Sequence, residues 1–285
     1  MSGRRIVVFG DVIDDIVVVP SGPVRVDTDT PSSIRHRPGG SAANAAAWLG
    51  VAGAGVDFVG LVGEGDVERT AHLAAHPSLP TGAIVVLVDG QNRSMLTERG
   101  ANAALGPDDV TDALLDTAAF VHFSGYSVFA SADPQSFRRL IDRATFRGVA
   151  VSVDPGSAGF IADYGADRFL DVIAGAAILF PNLEEGRVLT GHHEPEEVAS
   201  ALSERFDVVA LTLGETGVMV AERDRDCRYT RASTVEIVDP TGAGDAFSAG
   251  FLASWLGSRD LQRAADAGVA LAARAVAITG GRPAY

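Results

Sequence analysis

Short, nearly unbroken apolar runs alternate along this chain with longer stretches in which apolar residues return every three or four positions. Runs of the first kind read as buried strands and stretches of the second kind as helices packed on one face. IVVFG (6–10) and DDIVVVP (14–20) open the chain as strands. The polar, proline-rich segment 21–38 predicts irregular or edge-strand structure. GGSAANAAAWLGVAGAG (39–55) leads through two glycines into an alanine-rich helix, and VDFVGLVG (56–63) is a further strand. AIVVLVD (83–89) and RSMLTERG (93–100), joined through the glycine-containing GQN, predict a hairpin.

Beyond residue 105 the alternation is regular. Helices are expected at 107–117, 133–147, 163–175, 183–190, 195–205, 244–256 and 260–277. Strands are expected at 120–125, 149–155, 177–182 and 208–214, and in GVMVAE and YTRASTVEIVDP. The first of those helices opens on Pro107 with Asp108 and Asp109 in its first turn, where a proline and negative charge both favour helix initiation. Such alternation implies an α/β fold of three layers, a doubly wound and mostly parallel sheet between helices. The strands within 12–36 and 83–100 lack crossover helices and predict a small β-rich lid. The α/β body then comprises 1–11, 37–82 and 101–285.

Composition narrows the chemistry. The net charge is −14, and no basic cluster offers the footprint a nucleic acid needs. All 23 basic residues are arginine. Without lysine there is no Walker A loop and no Schiff-base chemistry. One cysteine, Cys227, builds neither a disulfide framework nor a cysteine-rich metal site. No apolar run is long enough for a membrane span or a signal peptide, so a cytoplasmic location is expected.

In doubly wound sheets ligands gather at the carboxyl ends of the strands. Asp11 to Asp15, Asp154, Asn182, Gly214 and Asp239 to Asp245 all fall at such ends. Any one of them could be a turn or cap residue. In VDPTGAGDAF a strand ends and a helix begins across Gly242, Ala243 and Gly244. Amides at the start of that helix, with its dipole behind them, offer an anion hole made of bare backbone. A carboxylate there, Asp245, is costly for an anion site unless it takes a proton from a hydroxyl aimed at the bound phosphoryl group.

GGSAANAA, PNLEE, LTLGETGV and DPTGAGDAF, in this order and spanning nearly the whole chain, resemble the motifs of the ribokinase-like (PfkB) carbohydrate and nucleoside kinases. The resemblance implies a ribokinase-like fold and ATP as co-substrate. It implies Asp245 as catalytic base, with the amides of Gly242, Ala243 and Gly244 on the transferring phosphoryl. It implies Asp15, Gly39, Gly40 and Asn44 on substrate hydroxyls, and Thr212, Gly214 and Gly217 along the nucleotide. Asn182 and Glu185 match the family's N-x-x-E, which implies Mg2+ held through water beside the phosphates. Asp239 and Thr241, with backbone near Ala277, resemble its monovalent-cation site, for K+. A homodimer through the lid is a further implication.

The departures bear on the acceptor. Ser41 stands where ribokinases carry lysine, and Ser124-Gly125-Tyr126 where they carry a substrate-binding acid. Asp11 reads either as a second substrate-binding acid or as a turn residue. Arg99 and Asn102 in TERGAN are candidates to reach over the substrate, with Arg99 fit either for a carboxylate or phosphate on the sugar or for a solvated lid position. Tyr126 reads as a stacking surface or as packing. The expected activity is phosphorylation of a primary hydroxyl of a sugar or sugar acid, with a nucleoside as the alternative. A sensor that keeps the pocket without catalysis, and a nicotinamide-dependent oxidoreductase, compete with this. The first should have lost the base or the anion hole, and the second should carry a glycine fingerprint that VGEGDVE and GDVIDD lack. His192-His193 beside Gly191 reads as a surface turn.

Overall fold

The computed structural model describes residues 5–66, 73–89, 92–225 and 227–283. The chain opens with β1 (Arg5–Phe9), β2 (Ile13–Pro20), β3 (Ser32–Gly39), α1 (Ser41–Val51), β4 (Val56–Val59), β5 (Leu61–Gly63), β6 (Ala74–His76), β7 (Gly82–Asp89) and β8 (Asn92–Glu98). It continues through α2 (Asp112–Leu115), β9 (Ala118–Ser124), α3 (Gly125–Ala130), α4 (Gln135–Phe146), β10 (Ala150–Asp154), α5 (Ala158–Tyr164), α6 (Ala166–Val172) and β11 (Ile178–Leu179). It closes with α7 (Leu183–Thr190), α8 (Pro195–Ser203), β12 (Val208–Thr212), β13 (Gly217–Glu222), β14 (Arg228–Arg231), α9 (Ala243–Ser258) and α10 (Leu261–Val276).

The main sheet has eight strands in the order β14-β13-β12-β11-β10-β9-β1-β4. Its neighbours from β12 to β4 are parallel, and β13 and β14 run antiparallel at one edge. Strand alternation sorts the core into two faces. Ile6, Val8, Phe120, Ile178 and Ala210 pack with α1, α9 and α10, while Val7, Phe9, Val121, Val153 and Leu211 pack with α4 to α8. Both faces are covered, which is why these strands read as continuous apolar runs. One polar pair sits inside: His122 Nδ1 lies 3.0 Å from Ser152 Oγ on the adjacent strand. Burial pushes the His122 imidazole down to about 4.

A second sheet of four strands, β3-β2-β7-β8, stands apart from the first. Segment 21–38 supplies the expected edge strand: β3 lies at the edge of this sheet, and all eight of its residues pair with β2, from Ile13↔Gly39 to Pro20↔Ser32. Its polarity reflects a largely exposed strand. The strand expected at 56–63 breaks at Gly60, so that β4 joins the main sheet and β5 pairs with β6. A Cβ at Gly60 would press on Phe58 and Val12.

The helix expected at 107–117 is two short helical turns, the second capped by Thr111. That at 163–175 is two helices meeting at Gly165, whose φ of 98° breaks the first. YTRASTVEIVDP forms a strand only over Arg228–Arg231. The hairpin turn at Gly90-Gln91 lies outside the described residues. Among the described residues no helix is long and apolar enough to cross a membrane.

Candidate active site

The carboxyl ends of β1 and β10 bring Asp11 and Asp154 to the first turns of α1 and α9. Asp11, two residues past β1, accepts hydrogen bonds from the Ser41 and Ala42 amides at 3.3 and 3.1 Å. It caps α1 from outside, because the helix's own N-cap is Gly40 at φ 94°, with no side chain to do so. Burial pushes the Asp11 carboxyl up, and those amides and Arg99 oppose the shift. The two glycines before α1 make room for acids: a Cβ on Gly39 would collide with the Asp15 carboxylate, and one on Gly40 with the Asp11 carbonyl. Asp15, on β2, is pushed up to about 6 by burial, against Arg282, with Asp11 and Asp14 adding to the rise.

Asp245 sits in the first turn of α9, after Gly242 in the left-handed conformation at φ 76°. Its carboxylate accepts from Ser41 Oγ at 2.7 Å and from Asn44 Nδ2 at 3.0 Å, both on α1. Burial pushes it up to about 7, Asp154 and Asp11 add to the rise, and the two hydrogen bonds restrain it. The amides of Gly242, Gly244 and Asp245 have no hydrogen-bond partner among the described residues. Ala243 does not match the expected set, since its amide turns back to the Pro240 carbonyl at 3.3 Å.

Asp154, at the end of β10, lies across from this turn, and a Cβ on Gly244 would sit 3.6 Å from its Oδ2. It accepts from the Gly156 amide at 2.8 Å. Burial and the nearby Glu185 push it well above the ordinary carboxylate range. Asn182 and Glu185 form a reciprocal cap on α7: Asn182 N donates to Glu185 Oε2 and Glu185 N to Asn182 Oδ1, both at 2.9 Å. Burial holds the Glu185 carboxyl at about 7. Asp154 and Glu185 are thus two buried carboxylates with unneutralised mutual repulsion, the donor set that suits a partly hydrated Mg2+. Asn182, Glu185, Thr212 and Gly214 line a groove of about 570 Å3 with Gly156 and Ser157.

The remaining candidates divide. The Tyr126 ring meets Phe160 edge-on at 5.9 Å. Its hydroxyl pKa is raised by burial and by Asp154, Glu185, Asp245 and Asp11, which places it among the acids. Arg99 donates to the Tyr126 carbonyl at 3.4 Å, beside Asp11. Asn102 is a correction. Its Oδ1 accepts from Val12 N at 3.0 Å and its Nδ2 donates to the carbonyls of Val12 and Arg99. The amide clamps two backbone segments and is spent on them.

At Gly217 a Cβ would strike the Thr230 carbonyl of β14, so packing against the neighbouring strand requires the glycine. At the cation site expected at Asp239 and Thr241 the carboxylate already has partners. Asp239 Oδ1 accepts from Thr241 N and Oγ1 at 3.0 and 2.6 Å, and Oδ2 from Gly280 N at 3.0 Å and Arg37 Nη1 at 3.4 Å. Arg37 brings positive charge to this carboxylate.

Sequence reasoning missed four participants. Asp154 was legible as a strand-end acid, and Ser41 as a departure from a motif. Arg37 and Arg282 gave no local signal, because each meets the site across more than 200 residues of chain.

Residues 4–284 match the family described as pfkB family carbohydrate kinase. An ATP-dependent ribose-1-phosphate kinase of Halopiger xanaduensis is 34% identical over 249 residues, 82% of this chain and 78% of that protein. The crystal structure of adenosine kinase from Sinorhizobium meliloti covers 100% of this chain and 97% of its own, with a TM-score of 0.86 at 23% identity. A structure from E. coli under the designation Ribokinase II, in complex with ATP and Mg2+, covers 97% of this chain and 94% of its own, with a TM-score of 0.83 at 21% identity. The two structures are likenesses of fold.

Proposed function

The chain belongs to the pfkB family of carbohydrate kinases, and we propose that it moves the γ-phosphoryl group of ATP to a primary hydroxyl of a sugar or sugar acid, with Asp245 as the base. The observation that carries the reading is Asp245 itself. A buried carboxylate at about 7 stands beside unpaired amides at the start of a helix, on the side where α1 delivers Ser41 and Asn44. The acceptor hydroxyl gives its proton to an Asp245 oxygen as the phosphoryl group arrives. The Gly242, Gly244 and Asp245 amides take up the developing negative charge. Asp154 and Glu185 would hold Mg2+, which supplies positive charge to the ATP phosphates when bound. The nucleotide lies in the groove at Asn182, Thr212 and Gly214. Asp15 and Asn44 receive the acceptor's hydroxyls, and residues 12–36 and 83–100 close over it as a lid that excludes water.

Arg99, beside Asp11 at the acceptor end, supports a substrate that already carries a phosphate or carboxylate. The ribose-1-phosphate kinase resemblance supports the same choice. A nucleoside is the second reading, favoured by the Tyr126 ring, which lies against Gly156 close enough that a Cβ there would be 3.0 Å away. ATP as donor is consistent with a cytoplasmic reaction. Arg37 on Asp239 favours turnover without a K+ requirement.

An ADP-release screen over sugars, sugar phosphates, keto-deoxy acids and nucleosides, in sodium and in potassium buffers, tests the reading. We expect turnover of a sugar-type acceptor, equal within about twofold in the two salts, and a fall of about 10²- to 10⁴-fold in Asp245→Ala. Ligand-induced thermal shifts with no ADP release would establish a non-catalytic sensor instead. A loss of less than about tenfold in Asp245→Ala would remove the base assignment.

A further inference from the structure

We propose that Arg282, in the segment after α10, is a positioning residue for the base: it fixes the Asn44 amide so that its NH2 end, rather than its oxygen, faces Asp245. Arg282 Nε donates to Asn44 Oδ1 at 3.1 Å, and Arg282 Nη2 to the Gly39 carbonyl at 2.6 Å. On the other end of the same amide, Asn44 Nδ2 donates to Asp245 Oδ2 at 3.0 Å. Asn44 is 5% exposed, so solvent has little part in choosing its orientation.

The two ends of a carboxamide are nearly alike in shape, and only their partners decide which way it points. Turned over, the amide would set its oxygen against the Asp245 carboxylate and its NH2 against the guanidinium. Arginine has donors only, so it accepts one orientation and rejects the other. Two different nitrogens of Arg282 reach two different acceptors, a span a single ammonium group does not cover.

The segment carrying Arg282 is itself held. Trp48 Nε1 donates to the Gly281 carbonyl at 2.9 Å, and Gly280 N to Asp239 at 3.0 Å. Gly281 has no room for a side chain, since a Cβ there would lie 2.5 Å from Asn44 Nδ2. The segment therefore packs against α1 on one side and the Gly242 turn on the other. Asp245 is faced by Asp154 at the end of β10, Asp11 after β1, the Tyr126 hydroxyl from α3, and Ser41 and Asn44 from α1. The charge of Arg282 is directed at Asp15.

The proposal rests on Asp245 being the base, so its test includes a readout on the ligand-free protein. In 15N-labelled protein the Asn44 side-chain NH2 pair is assigned by its loss in Asn44→Ala. Arg282→Met should shift that pair and speed its exchange with water. In turnover assays the same variant should lower kcat by about tenfold, the scale of one misplaced hydrogen bond, with KM for ATP unchanged. In the Asn44→Ala background Arg282→Met should cost no further kcat, because its effect on the base runs through Asn44, and the loss of its charge beside Asp15 should show in KM for the acceptor alone. Full additivity of the two substitutions, or an unmoved NH2 pair, overturns the proposal. A moved NH2 pair in a chain that turns over no acceptor sustains the hold of Arg282 on the Asn44 amide while removing the kinase reading and, with it, the base. Should Arg282→Met fail to fold, Arg282→Lys, which keeps the charge but does not reach both acceptors, carries the same comparison.

Discussion

Asp245 destabilises the ligand-free protein. Its carboxyl has an ordinary value near 3.8 and is pushed up to about 7 in the fold, chiefly by burial. Between those values the folded state binds the proton more tightly than the unfolded chain, so the ionised carboxylate weakens the fold above pH 7, and the penalty fades as pH falls toward 4. Asp245→Asn should therefore melt several degrees higher at pH 8, with the gain shrinking through pH 7 to 4, while turnover falls by two orders of magnitude or more. A melting temperature at or below that of the wild type at pH 8 would contradict this. The same value sets the acid limb of the pH–rate profile: activity should decline below about pH 7 as the base takes up its proton. Single residues were the most legible scale where one motif holds both chemistry and geometry, as around Gly242 to Asp245. They were the least legible where a side chain has two plausible uses. Asn102 has the composition of a substrate contact, but its amide is satisfied by backbone from Val12 and Arg99.

Strands and helices were legible wherever burial is even along the element. The runs of β1, β10, β12 and β13 are buried on both faces and stand out in the sequence. Breaks were missed, because a single glycine decides them through its surroundings. Gly60 divides one expected strand into β4 and β5, and Gly165 divides one expected helix into α5 and α6. In the middle of β9, His122 predicts a property of the whole element. Its imidazole has an ordinary value near 6.5 and is pushed down to about 4, so the fold keeps it neutral while the unfolded chain protonates it. The stabilisation is complete above pH 6.5 and is lost as pH falls toward 4, by up to about 3 kcal/mol at 1.36 kcal/mol per unit. Denaturant titrations of the wild type and His122→Gln should converge across that interval. Parallel curves would show that the imidazole binds its proton as readily in the fold as in the unfolded chain.

At the scale of the whole molecule, the second sheet leaves Ile34, Met95 and Leu96 more than half exposed. Apolar side chains in such numbers on one small sheet support self-association, and we propose a homodimer through the lid. Sedimentation should give a dimer for the wild type and a monomer for the double variant Met95→Glu, Leu96→Glu; a wild-type monomer at micromolar concentration would refute it. The layered architecture was readable from alternation alone, but the way the chain closes on itself was not. Arg37, Gly280 and Arg282 meet Asp239, Gly39 and Asn44 across long stretches of chain, and no local pattern announces such contacts. That closure has a consequence for biosynthesis. The pocket joins Ser41 and Asn44 on α1 to Asp245 on α9, so a chain emerging from the ribosome has neither that carboxylate nor the amides beside it until α9 has been made. Phosphoryl transfer would wait for α9 to form and seat against α1, which keeps a half-made chain from spending ATP on water.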